Sequence, residues 1–147
     1  MIYIAGPIFN TDQKNVIKDI EDILDDLWLD YFSPREFGVI ADEPMNPARM
    51  KRIYDMNLRM LNECDTLIAV LDDRDAGTIF ELGYFAAKDQ DLPWTKEDDS
   101  SIITFSNQGH GINVMLKHAV KFHCNGYSEL TLAIRDGQGT NELEISE

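Results

Sequence analysis

The sequence predicts an α/β fold built on a parallel sheet. Short apolar runs alternate with segments whose apolar residues recur every three or four positions, so strands and helices alternate along the chain. The strongest apolar run, at residues 66–71, is continuous and bounded by charged residues, which is typical of a parallel strand covered on both faces. Strands joined by helices favour right-handed crossovers, and ligands bind beyond the carboxyl ends of strands in such sheets.

About five strands are expected from the apolar runs and the turn residues that end them. The first occupies residues 1–5 and is ended by Gly6-Pro7, a turn signal. The second, at residues 31–34, is short and stopped by a proline. The others are predicted at residues 66–71, 102–105 and 120–124.

Helices are predicted between these strands and after the last one. The first is expected to be capped by Asn10, Thr11 or Asp12, because these residue types cap helices. Asn46-Pro47 predicts the start of the second, since proline favours the first helical position. The apolar stripe of the first helix comprises Val16, Ile17, Ile20, Ile23, Leu24, Leu27 and Trp28. The remaining helices are predicted at residues 78–88, 112–118 and 127–134.

The segments between these elements are predicted to be loops. A long loop is expected at residues 35–47, a polar one at 89–100 and a flexible one at 106–111. We expect one domain over residues 1–135 and a polar C-terminal tail over 136–147.

Composition and charge exclude several classes of function. The 147-residue chain has 13 basic and 27 acidic residues, a net charge of -14, which argues against partners that are nucleic acids or anionic membranes. No apolar run approaches the roughly 20 residues that span a bilayer, and no signal peptide is visible. We therefore expect a cytoplasmic protein, with Cys64 and Cys124 reduced. No metal-ligand spacing, dinucleotide fingerprint, phosphate loop or serine nucleophile motif occurs, so no metal site is expected.

Acidic residues gather where the strongest strand ends. Asp72, Asp73 and Asp75 lie in the following loop, and Glu81 lies about one turn into the next helix. Gly77 lets the backbone turn tightly between the last two carboxylates. Two carboxylates held close together can cleave a glycosidic bond with retention, because one attacks while the other handles the proton. The alternative is a solvated acidic loop and a helix whose early glutamate favours the helix dipole.

Two other features have both a structural and a functional interpretation. Gly6-Pro7 is either a strand-ending turn or a tight loop that lets a ligand approach the backbone. A set of aromatic residues either belongs to the core or stacks on a nucleobase, and its members are Tyr3, Phe9, Phe80 and Tyr84.

Three segments occur in an order and spacing that resemble one known family. The first is residues 2–7, Ile-Tyr-Ile-Ala-Gly-Pro, followed by Phe9. The second is Cys64-Asp65, an apolar strand, and then residues 75–84, Asp-Ala-Gly-Thr-Ile-Phe-Glu-Leu-Gly-Tyr. The third is residues 111–115, Gly-Ile-Asn-Val-Met. Together they resemble motifs of the nucleoside 2-deoxyribosyltransferase family over roughly residues 2–135.

The resemblance implies a flavodoxin-like, doubly wound sheet and transfer of a 2-deoxyribosyl group between nucleobases, with 2'-deoxynucleosides and free nucleobases as the ligands and no cofactor. It implies that Glu81 is the nucleophile, that Asp75 positions the nucleoside and helps move the proton at the base, and that Tyr3 orients the nucleophile. Asn113 matches an asparagine that reaches the sugar of a neighbouring subunit, which implies a homo-oligomer. The further residues assigned to substrate binding are Gly6, Phe9, Asn57, Gly77 and Met115.

Three points stay open. Asn57 stands where some family members have an aspartate that contacts the base, and an amide presents both a donor and an acceptor, so base preference is undetermined. A related N-glycosidase would hydrolyse 2'-deoxynucleoside 5'-monophosphates and would need a phosphate pocket, for which Arg35 and Ser106 are candidates. Arg49 and Arg52 also leave room for a phosphate on the substrate. A catalytically inactive nucleotide-binding module would have lost the nucleophile, whereas Glu81 is present.

Overall fold

The structure is a computed structural model that describes residues 1–37, 44–88 and 101–136. Its strands are β1 Ile2–Ala5, β2 Tyr31–Phe32, β3 Thr66–Val70, β4 Ile102–Ser106 and β5 Phe122–Asn125. They form one 5-stranded sheet in the order β2-β1-β3-β4-β5, and every neighbouring pair is parallel. This order is that of flavodoxin-like doubly wound folds, so the predicted fold class is confirmed.

The described helices follow the predicted pattern with shifts of a few residues. They are α1 Thr11–Asp26, α2 Pro34–Phe37, α3 Pro47–Glu63, α4 Ala76–Lys88, α5 Val114–Ala119 and α6 Tyr127–Asp136. The prediction of a loop from residue 35 was wrong at its start, because the chain forms the short helix α2, which begins at Pro34, two residues after the end of β2. Residues 38–43, the predicted loop at 89–100 and residues 137–147 lie outside the described part, so the domain boundary at 135 stays a prediction.

Two predicted helix caps are confirmed. Asn10 caps α1, where its side chain accepts a hydrogen bond from the Gln13 N–H at 2.9 Å. Asn46 caps α3 in the same way through the Arg49 N–H at 2.9 Å, and Pro47 occupies the first turn. These caps satisfy backbone donors that a helix leaves unpaired, so the local sequence sets both helix starts. No helix within the described ranges combines the length and apolar character that a membrane span requires.

The sheet is covered on both faces, and each strand contributes alternate side chains to each face. Residues of α1 and α6 pack on one face with Ile2 and Ile4. Residues of α3, α4 and α5 pack on the other face with Tyr3 and Ala5. Because side chains alternate along a strand, Tyr3 is directed toward the layer that contains α4. This alternation brings the first candidate site residue to the helix that carries Glu81.

Candidate active site

A hydrogen bond between β1 and α4 forms the centre of the candidate site. Tyr3 is fully buried, and its hydroxyl donates to Oε2 of Glu81 in the second turn of α4. Burial, with the charge of Glu81, raises the pKa of the Tyr3 phenol, so this group stays protonated and can donate. The two residues are 78 positions apart in the sequence, so only the folded sheet brings them together.

The environment of Glu81 changes the chemistry of its carboxyl group. Burial is the largest cause, and with the nearby charge of Asp75 it raises the pKa of Glu81 to about 7, although the hydrogen bond from Tyr3 acts in the opposite direction. An ordinary glutamate is fully ionised at neutral pH, whereas this one exists in both protonation states there. Carboxyl groups with such pKa values are typical of catalytic sites.

Asp75 caps the helix that carries Glu81. Its Oδ2 accepts hydrogen bonds from the backbone N–H and the hydroxyl of Thr78, both at 2.8 Å. A Cβ atom at position 77 would lie 3.3 Å from the same oxygen, so Gly77 leaves room for the carboxylate. The cap therefore holds Asp75 at the start of α4, in the region of Glu81 whose pKa it raises.

The other two acidic residues of the loop bind separate segments. Asp72 is buried and accepts hydrogen bonds from the Ser106 hydroxyl at 2.8 Å and from the Asn107 N–H at 2.9 Å. Asp73 accepts a hydrogen bond from the Gln13 side chain at 2.9 Å. The acidic cluster is therefore not a uniformly solvated loop, because these carboxylates connect β3 to β4 and to α1. The predicted flexible loop at residues 106–111 is likewise anchored at its first residues.

A mostly apolar cavity of about 380 Å³ lies beside Glu81, between α3 and α4. Its size is in the range of small-molecule sites. Oδ1 of Asn57 is buried and, among the described groups, has no hydrogen-bond donor. A buried acceptor without a partner is costly, so this oxygen is suited to a donor on a bound ligand. The lining residues are Met45, Met50, Ile53, Tyr54, Asn57, Leu58, Leu61, Gly77, Phe80 and Glu81.

The structure places the aromatic candidates in different surroundings. Tyr3 belongs to the core, whereas Phe80 is 54% exposed and lines the cavity. Phe80 stacks on Tyr84 with ring centroids 6.5 Å apart. The ring of Phe80 also contacts the ring of Tyr54, with centroids 6.4 Å apart. Sequence analysis missed Tyr54 and the neighbouring Met50 of α3. Their spacing of four residues was the available signal, because it places both on one helix face.

Four predicted binding residues are not among those that line this cavity. Gly6 packs against the core, since a Cβ atom there would lie 2.6 Å from Cδ1 of Ile17 and 3.1 Å from Cβ of Val70. Phe9, in the loop after β1, is 79% exposed. Asn113 caps α5 by accepting a hydrogen bond from the Met115 N–H at 2.8 Å, and the Met115 side chain is 77% exposed. The roles assigned to these residues stay predictions.

Two of the phosphate candidates, Arg35 and Ser106, are engaged within the protein. Arg35 donates through Nε at 2.9 Å and through Nη2 to the two carboxylate oxygens of Glu21. Glu21 is buried, and although burial raises its pKa, the hydrogen bonds from Arg35 and Ser33 outweigh this and lower it. Ser106 donates to the buried Asp72. Using either side chain for a substrate phosphate would leave a buried carboxylate with fewer partners, which is unfavourable.

Comparisons with known proteins add a family and a fold. The family model described as nucleoside 2-deoxyribosyltransferase matches residues 2–115. An uncharacterized protein of Ureaplasma parvum serovar 3 is 26% identical, over 88% of this chain and 89% of that protein.

Two solved structures are similar in fold. A 2-deoxyribosyltransferase from the psychrotolerant bacterium Bacillus psychrosaccharolyticus superimposes with a TM-score of 0.74 at 24% identity, over 88% of this chain and 89% of that one. A conserved protein from Enterococcus faecalis V583 gives a TM-score of 0.55 at 22% identity, over 94% and 87% of the two chains.

Proposed function

Since the chain belongs to the nucleoside 2-deoxyribosyltransferase family, we propose that it transfers the 2-deoxyribosyl group between nucleobases through a covalent ester on Glu81. The observation that carries the proposal is the half-buried Glu81 carboxyl, with a pKa of about 7, held by Tyr3 beside an apolar cavity.

In the first step, the carboxylate of Glu81 attacks the anomeric carbon. Tyr3 holds Oε2, and we assign the attack to Oε1. The new C–O bond forms as the bond between the anomeric carbon and the base breaks. The electron pair of the broken bond leaves with the base. Positive charge develops on the sugar in this transition state, and a carboxylate close to that charge stabilises it. Asp75 supplies or relays the proton that the departing base takes up.

In the second step, a different base takes the sugar. A nitrogen of the acceptor base attacks the anomeric carbon, the ester breaks, and Glu81 recovers its electron pair while the acceptor base loses a proton. Two displacements at one carbon preserve the β configuration. Transfer requires that water stay away from the ester, and the apolar lining that includes Phe80 supports this requirement.

The cavity between α3 and α4 is the proposed binding place for the base. Its apolar walls suit a planar aromatic ring, and Oδ1 of Asn57 can accept a hydrogen bond from an amino group on the ring edge. We therefore expect bases that carry an exocyclic amino group to be preferred over those that present a carbonyl there.

The hydrolase alternative has less support from this chain. Hydrolysis of a 5'-monophosphate needs cationic or hydroxyl groups for the phosphate, and two of the candidates named from the sequence, Arg35 and Ser106, already bind Glu21 and Asp72. An inactive binding module is less supported as well, because the Tyr3–Glu81 pair is complete.

Product analysis tests the proposal. The protein is incubated with a deoxynucleoside and a second free base, and the products are resolved by chromatography and proton NMR. We expect the exchanged β-deoxynucleoside to form faster than free deoxyribose, and ribonucleosides to react poorly because the 2'-hydroxyl destabilises the cationic transition state. If free deoxyribose, or deoxyribose 5-phosphate from a nucleotide, is the main product at saturating acceptor base, the protein is a hydrolase rather than a transferase.

A further inference from the structure

The side-chain amide of Gln13 joins two loops at the carboxyl edge of the sheet. Gln13 lies in the first turn of α1, and its Oε1 accepts a hydrogen bond from the Phe9 N–H at 2.8 Å. Its Nε2 donates to Oδ2 of Asp73 at 2.9 Å, across 60 residues of sequence. One contact lies in the loop between β1 and α1, and the other reaches the loop between β3 and α4. We call these two hydrogen bonds the Gln13 bridge.

The far end of the Gln13 bridge is a strained segment. Asp73 and the following Arg74 both adopt left-handed backbone conformations, with φ of 63° and 49°. Residues other than glycine adopt this region rarely, and such conformations persist only where the surroundings hold them. Asp75 follows directly and caps α4. The bond from Gln13 therefore stabilises the strained pair immediately before Asp75.

We propose that Gln13 is a positioning residue that keeps the Phe9 loop and the Asp75 loop in one relative position. The catalytic consequence rests on the proposed function, in which Asp75 acts at the base, and on the substrate-binding role predicted for Phe9 from the sequence. Because one amide bonds to both loops, neither loop can shift without breaking a hydrogen bond of the Gln13 bridge. The bridge thereby sets the distance between two groups that hold the same substrate.

The chemistry of the bridge requires an amide. Gln13 accepts with its oxygen and donates with its nitrogen, which a carboxylate cannot do. A glutamate at this position could still accept from the Phe9 N–H, as glutamates do in helix capping boxes. It would, however, place a negative charge against the Asp73 carboxylate, which is unfavourable. Gln13→Glu therefore keeps the hydrogen bond from the Phe9 N–H and removes the hydrogen bond to Asp73.

A charge-neutral exchange of the two partners supplies the matched control. In the double variant Gln13→Glu with Asp73→Asn, the new asparagine amide can donate to the new carboxylate, so the bridge forms with reversed polarity. Asparagine also tolerates the left-handed conformation at position 73. Asp73→Asn alone keeps an acceptor for the glutamine and is expected to behave like the wild type.

Two measurements test the proposal on these variants. Hydrogen–deuterium exchange of the ligand-free protein follows residues 6–10 and 72–78, and steady-state kinetics give KM for the deoxynucleoside and kcat. We expect Gln13→Glu to accelerate exchange in both segments and to raise KM about tenfold, with kcat changed less than about threefold. The double variant is expected to restore exchange and KM to within about twofold of the wild type.

Several outcomes would overturn the proposal. They are unchanged exchange at residues 72–78 in Gln13→Glu, a lower melting temperature with unchanged KM, or a double variant that behaves like Gln13→Glu. If the wild-type protein neither transfers nor hydrolyses deoxynucleosides, the proposed function fails, and the exchange measurement alone then decides whether Gln13 couples the two loops.

Discussion

At the scale of single residues, the surroundings of Glu81 matter more than its identity. A glutamate on a solvated helix start would be an ordinary surface carboxylate. Here it faces the buried Tyr3 hydroxyl and an apolar cavity, and burial raises its pKa to about 7. Folding therefore carries an electrostatic cost at this position, which fits the catalytic role proposed for Glu81.

The first prediction concerns Glu81→Gln. Turnover is expected to fall by several orders of magnitude, because an amide cannot form the glycosyl ester. Stability is expected to rise at pH 8. The pKa of Glu81 is about 7 in the folded state against 4.5 without its surroundings, so its ionisation opposes folding as the pH rises through this interval. Removing the charge should add about 2 kcal/mol to the free energy of unfolding.

Denaturant unfolding and initial rates measure both effects. Glu63→Gln is the matched control, since this exposed residue of α3 should change stability by less than about 0.5 kcal/mol. More than about a tenth of wild-type activity in Glu81→Gln would contradict the assignment of the nucleophile.

The second prediction concerns pH. The attacking form of Glu81 is the carboxylate, so kcat/KM should rise with pH through one ionisation near 7, the pKa of Glu81. In Tyr3→Phe the hydrogen bond that lowers this pKa is lost, and the midpoint should move to higher pH. Rate profiles between about pH 5 and pH 9, roughly two units to either side of the midpoint, test this expectation. A midpoint that stays in place or moves down in Tyr3→Phe would show that Tyr3 does not act on the Glu81 carboxylate.

At the scale of elements, α4 has a capped first turn and carries Glu81 in its second turn. The helix begins at Ala76, directly after the residue that caps it. Asp75 therefore has two roles that a single truncation would mix, since its cap on Thr78 supports the helix and its charge raises the pKa of Glu81. Separating them requires a residue that caps without a charge.

The third prediction uses two substitutions of Asp75. Asp75→Ala should lower the free energy of unfolding by about 1 kcal/mol, because the helix loses its cap, whereas Asp75→Asn should keep the cap and change stability by less than about 0.5 kcal/mol. If Asp75 moves the proton at the base, both variants lose activity. Loss of its charge should also move the pH midpoint of the Asn variant downward. Full activity in the Asn variant would restrict Asp75 to capping.

At the scale of the whole molecule, one described chain does not bring all the predicted site residues together. Asn113 and the exposed Met115 lie at the start of α5 and are not part of the lining of the cavity beside Glu81. Exposed apolar side chains nearby, on Val114 and Ile79, suit a protein interface. A homo-oligomer in which the Asn113 region enters the neighbouring site stays a prediction.

The fourth prediction tests this arrangement by mixing inactive variants. Asn113→Ser keeps a residue type that caps α5, and it should be inactive if the asparagine reaches a neighbouring sugar. After subunit exchange with Glu81→Gln, about a quarter of the sites in an equal mixture should combine both wild-type residues and regain activity, as random pairing requires. Glu81→Gln mixed with Asp75→Ala is the control, because Asp75 and Glu81 belong to one chain's site and cannot complement. A monomer in light scattering with full activity would contradict the oligomer.

Much of the fold could be predicted from local sequence. Apolar runs, helical periodicity and turn residues are properties of neighbouring positions, so the strands, the caps at Asn10 and Asn46 and the parallel class followed from them. The short helix α2 escaped prediction because two prolines and a glycine within residues 35–47 resemble a loop.

The sequence predicted part of the candidate site, and the tertiary structure was needed for the rest. Motif resemblance in the sequence by itself singled out Glu81, Asp75 and Tyr3, since these types and spacings are visible in one dimension. Only the tertiary structure decided that Tyr3 binds Glu81, that Arg35 is paired with Glu21, and that Gln13 joins two loops. The physical reason is that these contacts join residues far apart in the chain. Burial, and the pKa values that burial changes, depend on the same distant residues. A local sequence pattern carries no information on which distant residues come into contact.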